Sequence, residues 1–473
     1  MKKIFSIFLL LLVSCANHQG KGLRKNFVVP NIQTVGTENY LNGNSDYIFD
    51  QESLHTFELK IPESSLKKID SDPTKEEYVE GILIFRGDTL SPVGIRYKGS
   101  VGAFVGCTSG KDWSNPSGKK ICTKLSMKVK INWKGRKDKF YDLTKLQFHS
   151  QNIDPTQMHE RLGYWFFRSM GVVAPRSVHA KLIINNKYSG LYALTEQIDD
   201  NFVRYNFDEP NGNLYKEVWP IDHKGNPQNE KNLYGGLKTN EDNNPNLKLM
   251  KKFGELIAES DLSQSIQIVS EYMNIDKIIS YAVVDRAIRN DDGVFHWYEF
   301  GQGAASHNYY WYEEPTKQKI HLIPWDLDNA FENISLENPV TFIPDDWGET
   351  SNNCIPFPYG DWGFWQRSAS CDKIIRAWSS YKDEYKKFQS KLNNLYVDQA
   401  PILIDKWSLQ IKDATIQASK THKDALPIKK WERHLELLKA QIYLMKMRFF
   451  AYNEFVYISF LFHRAILYLI LKH

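Results

Sequence analysis

The apolar run that ends in two acids, His321-Leu322-Ile323-Pro324-Trp325-Asp326-Leu327-Asp328, is the part of this chain whose residue types and spacing come nearest to chemistry. It reads as a strand whose end offers a metal two hard oxygen ligands. Mg²⁺ is ordinarily held by one or two carboxylates together with substrate phosphates and retained water, so two aspartates suffice when a phosphate-bearing ligand supplies the rest. The same string also serves as a solvated strand end or a turn cap. Two acids one residue apart are common, and the choice rests on the polar residues elsewhere.

Those residues follow an order that phosphoryl transfer can use. Arg96, Lys98 and Lys128 are cations in strand-like segments, Glu160 is an acid on the helix that follows, and Asp292, Asn308 and Asp326 come later, in a helix-rich stretch. In such chemistry a strand lysine neutralises phosphates and is held by a helix glutamate, an aspartate orients the attacking hydroxyl, and Asn and Asp bind the metal ions. Each residue alone has a plainer reading: Lys128 as a solvated strand face, Glu160 as a surface acid, Asn290-Asp291-Asp292 as a helix terminus.

The elements that must position these groups are legible in outline. From Leu54 to about Leu194 the pattern is mostly strand-like. Tyr78 to Phe85 and Val93 to Tyr97 flank a turn at Arg86-Gly87-Asp88, and Val178 to Ile184 and Tyr188 to Leu194 form a second hairpin. Leu125 to Ile131 alternates, with Met127 and Val129 on one face and Lys128 and Lys130 on the other. One helix interrupts the strands. It starts at Asp154-Pro155-Thr156-Gln157, a fitting cap, and buries Met158, Leu162, Trp165, Phe166 and Met170 before Gly171 stops it. Glu160 lies off that stripe and faces either solvent or a cleft.

Residues 208 to 246, dense in Asn, Asp, Gly and Pro, read as a long connection between lobes. Beyond it the pattern is helical over 247 to 259, 263 to 288, 376 to 415 with breaks, and 427 to 455. The exception is a hairpin, Asn308 to Tyr312 with Lys319 to Ile323, that presents the two aspartates. The fold class expected is α+β.

Composition sets outer bounds. With 473 residues, 42% hydrophobic and 14% aromatic, the chain is long and apolar enough for a large core. The formal charge of +4 drops by two if Lys2 and Lys3 are removed, well short of the basic excess of a nucleic-acid binder. Residues 1 to 14 read as a signal peptide, with Lys2 and Lys3 ahead of the apolar run Ile4 to Val13. Leu12-Val13-Ser14-Cys15 resembles a bacterial lipobox, which makes Cys15 the lipidation site, residues 15 to 48 a tether, and the cell envelope, outer membrane included, the expected location. Four further cysteines in an exported chain suggest two local disulfides, Cys107 with Cys122 and Cys354 with Cys371, among three possible pairings. Residues 456 to 473 are apolar, but His463 and Arg464 in their middle favour a buried or membrane-surface helix over a spanning one.

Taken together, the strings around these residues resemble the CotH family, the spore-coat-type atypical protein kinases, from roughly Leu54 to Asn453. The resemblance is carried by Gly94-Ile95-Arg96-Tyr97-Lys98-Gly99-Ser100, Ser126-Met127-Lys128-Val129-Lys130, Met158-His159-Glu160-Arg161-Leu162 and Gly171-Val172-Val173-Ala174-Pro175-Arg176. It continues through Gly190-Leu191-Tyr192-Ala193-Leu194-Thr195-Glu196-Gln197-Ile198-Asp199, Gly212-Asn213-Leu214-Tyr215-Lys216, Asn308-Tyr309-Tyr310-Trp311-Tyr312 and the Trp325-Asp326-Leu327-Asp328 string.

The resemblance implies a bilobed protein-kinase-like fold, with an N-lobe over 49 to 207 and a C-lobe over 247 to 455. It implies ATP with Mg²⁺ or Mn²⁺ as cofactors and Ser or Thr hydroxyls of proteins as acceptors. Arg96, Lys98 and Lys128 would then contact the nucleotide phosphates, with Glu160 the partner of Lys128, and Glu196 would lie near the adenine. Asp292 matches the catalytic aspartate, with Asp291 as its alternative. Asn308 and Asp326 match metal ligands, and Asp328 is a further one. The chain departs from the family's pattern in the segment after Arg96, in the residues Gly293 to His307, and in the cysteine-bearing loop 101 to 123.

Three functions compete on this evidence: an exported protein kinase, a non-catalytic kinase-shaped surface module for envelope assembly or adhesion, and a metal-dependent phosphohydrolase. The full set Lys128, Glu160, Asp292, Asn308 and Asp326 favours the first. The 13 Trp and 25 Tyr lean toward a carbohydrate-binding surface but also simply fill cores. The phosphohydrolase needs further acid or His ligands, which the order of motifs does not supply.

Overall fold

Alternating strands of the N-terminal half close on themselves. The computed structural model describes residues 40–451 apart from 42, 113, 244, 301–302, 332–353 and 360–363. All of these belong to one unit, Asn39–His473. The signal segment, Cys15 and the apolar end 456 to 473 lie outside the described residues.

Strands β1 (His55–Lys60), β2 (Val79–Phe85), β3 (Asp88–Tyr97), β4 (Met127–Lys130), β5 (Lys145–His149), β6 (Ser177–Ile184) and β7 (Lys187–Thr195) form a closed barrel in the order β1-β2-β3-β4-β5-β7-β6. The parallel pairing of β6 with β1 closes it. Apolar side chains at every second position, among them Phe57, Leu83, Ile95, Met127, Val129 and Phe148, fill the interior and are fully buried. The other positions face outward. Arg96 stands opposite Lys128, and Lys128 opposite Gln147, so β3, β4 and β5 carry one polar face between them.

Among the described residues, eight helices of nine residues or more accompany the strands: α1 (Glu63–Ser71), α2 (His159–Ser169), α3 (Lys248–Glu259), α4 (Leu262–Tyr272), α5 (Ile275–Ala287), α6 (Lys382–Leu395), α7 (Ala400–Thr421) and α8 (Ile428–Ala451). Helix α2 packs between the barrel and the C-terminal helices, and its Leu162, Phe166 and Phe167 share one buried cluster with Ile279, Val283 and Ile404. The acid-bearing hairpin forms as expected from β11 (Tyr309–Glu314) and β12 (Lys319–Pro324), paired Tyr309 with Pro324.

Several expectations change. Helix α2 begins at His159 rather than at Asp154, because the Asp154 carboxylate accepts from the N–H groups of Thr156, Gln157 and His159 and stabilises a turn ahead of the helix. The helix expected over 263 to 288 is two, α4 and α5, broken where Asn274 caps α5 through the Lys277 N–H. The connection 208 to 246 contributes a strand, β8 (Leu214–Lys216), that pairs with β11. The stretch Gly293 to His307 is also structured: β9 (Trp297–Phe300) and β10 (Gly303–Ala305) join β13 (Phe357–Tyr359) and β14 (Phe364–Arg367) in a four-stranded sheet. Within the segment expected as a tether, Ser45–Ile48 is a helical turn, and Ile48 is buried in the barrel cluster.

Both disulfides expected from spacing are present, Cys107 with Cys122 and Cys354 with Cys371. Among the described residues, no helix is long and apolar enough to cross a membrane.

Candidate active site

The outward face of β3–β5 ends against helix α2. Lys98, one residue past β3, is anchored by its N–H to the Ser126 carbonyl at 2.9 Å. Its ammonium lies 2.7 Å from Nε2 of His149, the last residue of β5. The other ring nitrogen, Nδ1, lies 2.8 and 2.9 Å from the two carboxylate oxygens of Glu160, in the first turn of α2. Trp325 closes the group from the third side: its ring meets His149 edge-on at 5.5 Å, with the Lys98 ammonium 5.4 Å above it.

Burial governs the electrostatics here. It pushes the Glu160 carboxyl well above the usual carboxylate range, an effect Asp326 reinforces and Lys98 opposes. It lowers the Lys98 ammonium, against the attraction of Asp326 and Glu160. The His149 imidazole is held well below its ordinary value by burial and then by Lys98.

The acids of the 326–328 segment are set by the same helix. Trp325 donates its N–H to the Asn308 carbonyl at 3.0 Å, which ends the strand, and Asp326 then takes a left-handed backbone, φ +52°. The Asp326 N–H is bound by the Tyr164 hydroxyl at 3.0 Å, and the Asp328 carbonyl lies 2.8 Å from Nδ1 of His159. Between them Leu327 fits over Gly163, where an added Cβ would stand 2.8 Å from Leu327 Cδ1. Three residues of α2 thus fix three consecutive residues of the acid loop.

Asp292 approaches from the turn after α5. Its carboxylate accepts from the Tyr298 hydroxyl, from Asn308 Nδ2 at 3.1 Å and from Asn329 Nδ2 at 3.2 Å. Asn308 also donates to the Asp292 carbonyl, at 2.9 Å. Asp292 and its sequence alternative part company here: Asp292 lines the cleft, whereas Asp291 is fully buried with its carboxylate 3.3 Å from the Arg286 guanidinium. The cleft has a volume of about 760 Å³ and is lined by Lys98, His149, Asp292, Asp326 and Asp328, with the Cys107–Cys122 disulfide also in its wall.

Arg96, Lys128 and Glu196 stand apart from this cluster. Arg96 is paired with Glu76 and lies over the Tyr78 ring at 5.2 Å. Lys128 forms no ion pair with Glu160 among the described residues. The helix acid expected to hold it is instead joined to His149, and through it to Lys98, because Lys98 and His149 lie at the α2 end of the face. Burial, followed by the repulsion of Lys145, Lys98 and Arg96, lowers the Lys128 ammonium to about 7. Glu196 is buried, and its carboxylate accepts from the Arg176 N–H at 3.1 Å and Nε at 3.0 Å.

The donor set fits a hard cation. Burial raises the Asp328 carboxyl well above its usual range, and Asp326, Glu160, Asp292 and Asp154 add to the effect, so a bound cation would relieve the crowding of carboxyl groups here. Among the described residues the carboxylates of Asp326 and Asp328 accept no hydrogen bond, which leaves their oxygens unspent. His149, Glu160 and Asp326 also offer ligand atoms within 4.8 Å of one another. Both nitrogens of His149 are already engaged, however, so the free oxygen donors are those of the 326–328 segment.

His149, Tyr164, Tyr298 and Asn329 are site residues that sequence reasoning did not single out. Nothing marks His149 among 13 histidines until the register of β4 with β5 is known.

The class these features define is an α+β protein in which a cationic barrel face meets a carboxylate cluster across a cleft. A family model described as CotH kinase protein matches residues 95–443, and the chain belongs to that family. No curated protein matches the chain.

Proposed function

We propose that this protein is a bilobed, metal-dependent protein kinase that transfers the γ-phosphoryl group of ATP to Ser or Thr hydroxyls of envelope or secreted proteins. The observation that carries the reading is the convergence, on one cleft, of Lys98 at the end of β3, joined through His149 to the helix acid Glu160, with Asp292, Asp326 and Asp328. Membership of the CotH kinase family supports phosphotransfer over a binding-only role.

Each group has a task in that chemistry. Lys98, with Arg96 and Lys128 farther along the face, binds the phosphates. Asp326 and Asp328, with the Asn308 amide oxygen, would hold Mg²⁺ or Mn²⁺, which when bound supplies positive charge against the phosphate oxygens. Asp292 accepts the proton of the attacking hydroxyl. Tyr298, Asn308 and Asn329 hold its carboxylate in one orientation, so little is lost in ordering it during reaction. The burial of Asp291 in its pair with Arg286 supports giving this role to Asp292. Two disulfides and the leader-like N-terminus support an oxidising compartment, with a lipid anchor at Cys15.

The test is phosphate transfer from γ-labelled ATP to the protein itself or to casein, in Mn²⁺ or Mg²⁺, beside Asp292→Asn. Label that is lost in the variant, while metal-dependent ATP binding persists, is the expected result. No transfer and no metal-dependent ATP binding by the wild type would leave a kinase-shaped surface module.

A further inference from the structure

We propose that His149 is a positioning residue that joins Lys98 to Glu160 and so aims the lysine at the cleft. The inference rests on the kinase reading for what Lys98 is aimed at, but the link between the three residues stands on geometry. The ring spans the two charged groups, with 2.7 Å to the ammonium on one side and 2.8 and 2.9 Å to the carboxylate on the other. An ammonium only donates and a carboxylate only accepts, so a neutral ring with its proton on Nδ1 satisfies both ends.

The ring cannot easily turn away. His149 is 5% exposed, and Trp325 packs edge-on against it. Its backbone is held in the barrel, where it pairs with Ala193 of β7. Among the described residues Lys98 and Glu160 form no direct ion pair, so the imidazole is the connection between barrel face and helix.

The bridge matters because of what else attracts the lysine. Asp326 exerts the largest pull on the Lys98 ammonium of any charged group. A four-carbon stem is flexible enough to follow that pull. An ammonium seated on Asp326 would be withdrawn from the phosphates and would compete with a cation for the same oxygens. By accepting from Lys98 through Nε2, His149 holds the ammonium off the acids.

The test is a double-mutant cycle on the full chain, read as ATP affinity in Mn²⁺ by titration calorimetry. His149→Phe should weaken ATP binding about tenfold to a hundredfold, the range for losing a hydrogen bond to a charged group. His149→Gln, which keeps a neutral polar group at the position, should recover part of the loss. In a Lys98→Met background neither substitution should weaken binding further, a result that general damage to the fold would not produce. Should the Phe variant fail to fold, the Gln variant carries the same cycle. Equal losses with and without Lys98, or no loss in either background, would overturn the proposal.

Imidazole ¹⁵N resonances read the contact with no nucleotide present. The expected state is the Nδ1–H tautomer, with an Nε2 resonance that moves in Lys98→Met. The Nε2–H tautomer, or an Nε2 resonance indifferent to Lys98, would also overturn it. If the wild type binds no ATP while Nε2 responds to Lys98, the bridge stands and the kinase reading falls.

Discussion

Replacing Lys128 with Met should make the protein more stable at pH 6 and at the same time weaken its hold on phosphates. Lys128 sits on β4 opposite Arg96 and Gln147, and Lys145, Lys98 and Arg96 all oppose its charge, with Asp199 the anion acting against them. Burial is the larger cause, and together these effects bring its pKa from 10.5 to about 7. At roughly 1.4 kcal/mol per pKa unit, that drop corresponds to about 5 kcal/mol. The side chain is partly exposed, so solvent screening reduces the figure to about 1–3 kcal/mol.

The sign follows from the depressed value. A lysine whose folded pKa lies below its unfolded one penalises folding fully below pH ~7, and the penalty fades as pH rises toward ~10.5. Lys128→Met removes the penalty, so its urea midpoint should exceed that of the wild type at pH 6. The gap should shrink to about a third by pH 9.5. Pyrophosphate, which supplies the missing anion, should stabilise the wild type more than the variant at pH 6. A Met variant less stable than wild type at pH 6, or a gap indifferent to pH, would refute the picture of an unneutralised cation waiting for phosphate.

Two further outcomes follow from the same structure. Glu196→Gln breaks a buried pair with Arg176 and should cost about 3 kcal/mol in urea unfolding. It should leave the ATP affinity of the folded protein unchanged, because the carboxylate is spent on Arg176 and does not line the cleft. Replacing Cys107 and Cys122 together by Ser opens a loop of 15-residue separation and should cost about 3 kcal/mol. The same pair forms part of the cleft wall, so its loss should also raise the KM for ATP or acceptor, whereas the Cys354–Cys371 double Ser variant should lower stability alone.

Sequence reading succeeded where a local pattern sets the structure. The alternation through Met127, Lys128, Val129 and Lys130 declares which side chains face the barrel interior, and β4 obeys it. The hairpin of β11 and β12 and the Gly171 helix stop are likewise local. Pairings across long separations were not legible. Lys98 and Lys128 share a face, and which of them reaches Glu160 depends on where β5 ends beside them, a matter of register between strands separated by the irregular stretch 131 to 144. The sheet of β9, β10, β13 and β14 escaped notice for a related reason: its strands are three or four residues long, too short to show a period, and β9 pairs with β14 across more than 60 positions.

Helix α2 is the element on which the rest depends. Glu160 of its first turn reaches the barrel face through His149. From the same two turns His159, Gly163 and Tyr164 each hold one residue of the 326–328 segment. A shift of this helix would therefore move Lys98, through His149, and the acids of the 326–328 segment together. Little room exists for such a shift, since Leu162, Phe166 and Phe167 are fully buried, and packed interiors resist displacement even by a methyl group. The placement of the helix groups against the acid loop is thus set by core packing, while His149 places the Lys98 ammonium. That explains how three neighbouring carboxylates can be kept close together without a cation among the described residues to neutralise them all.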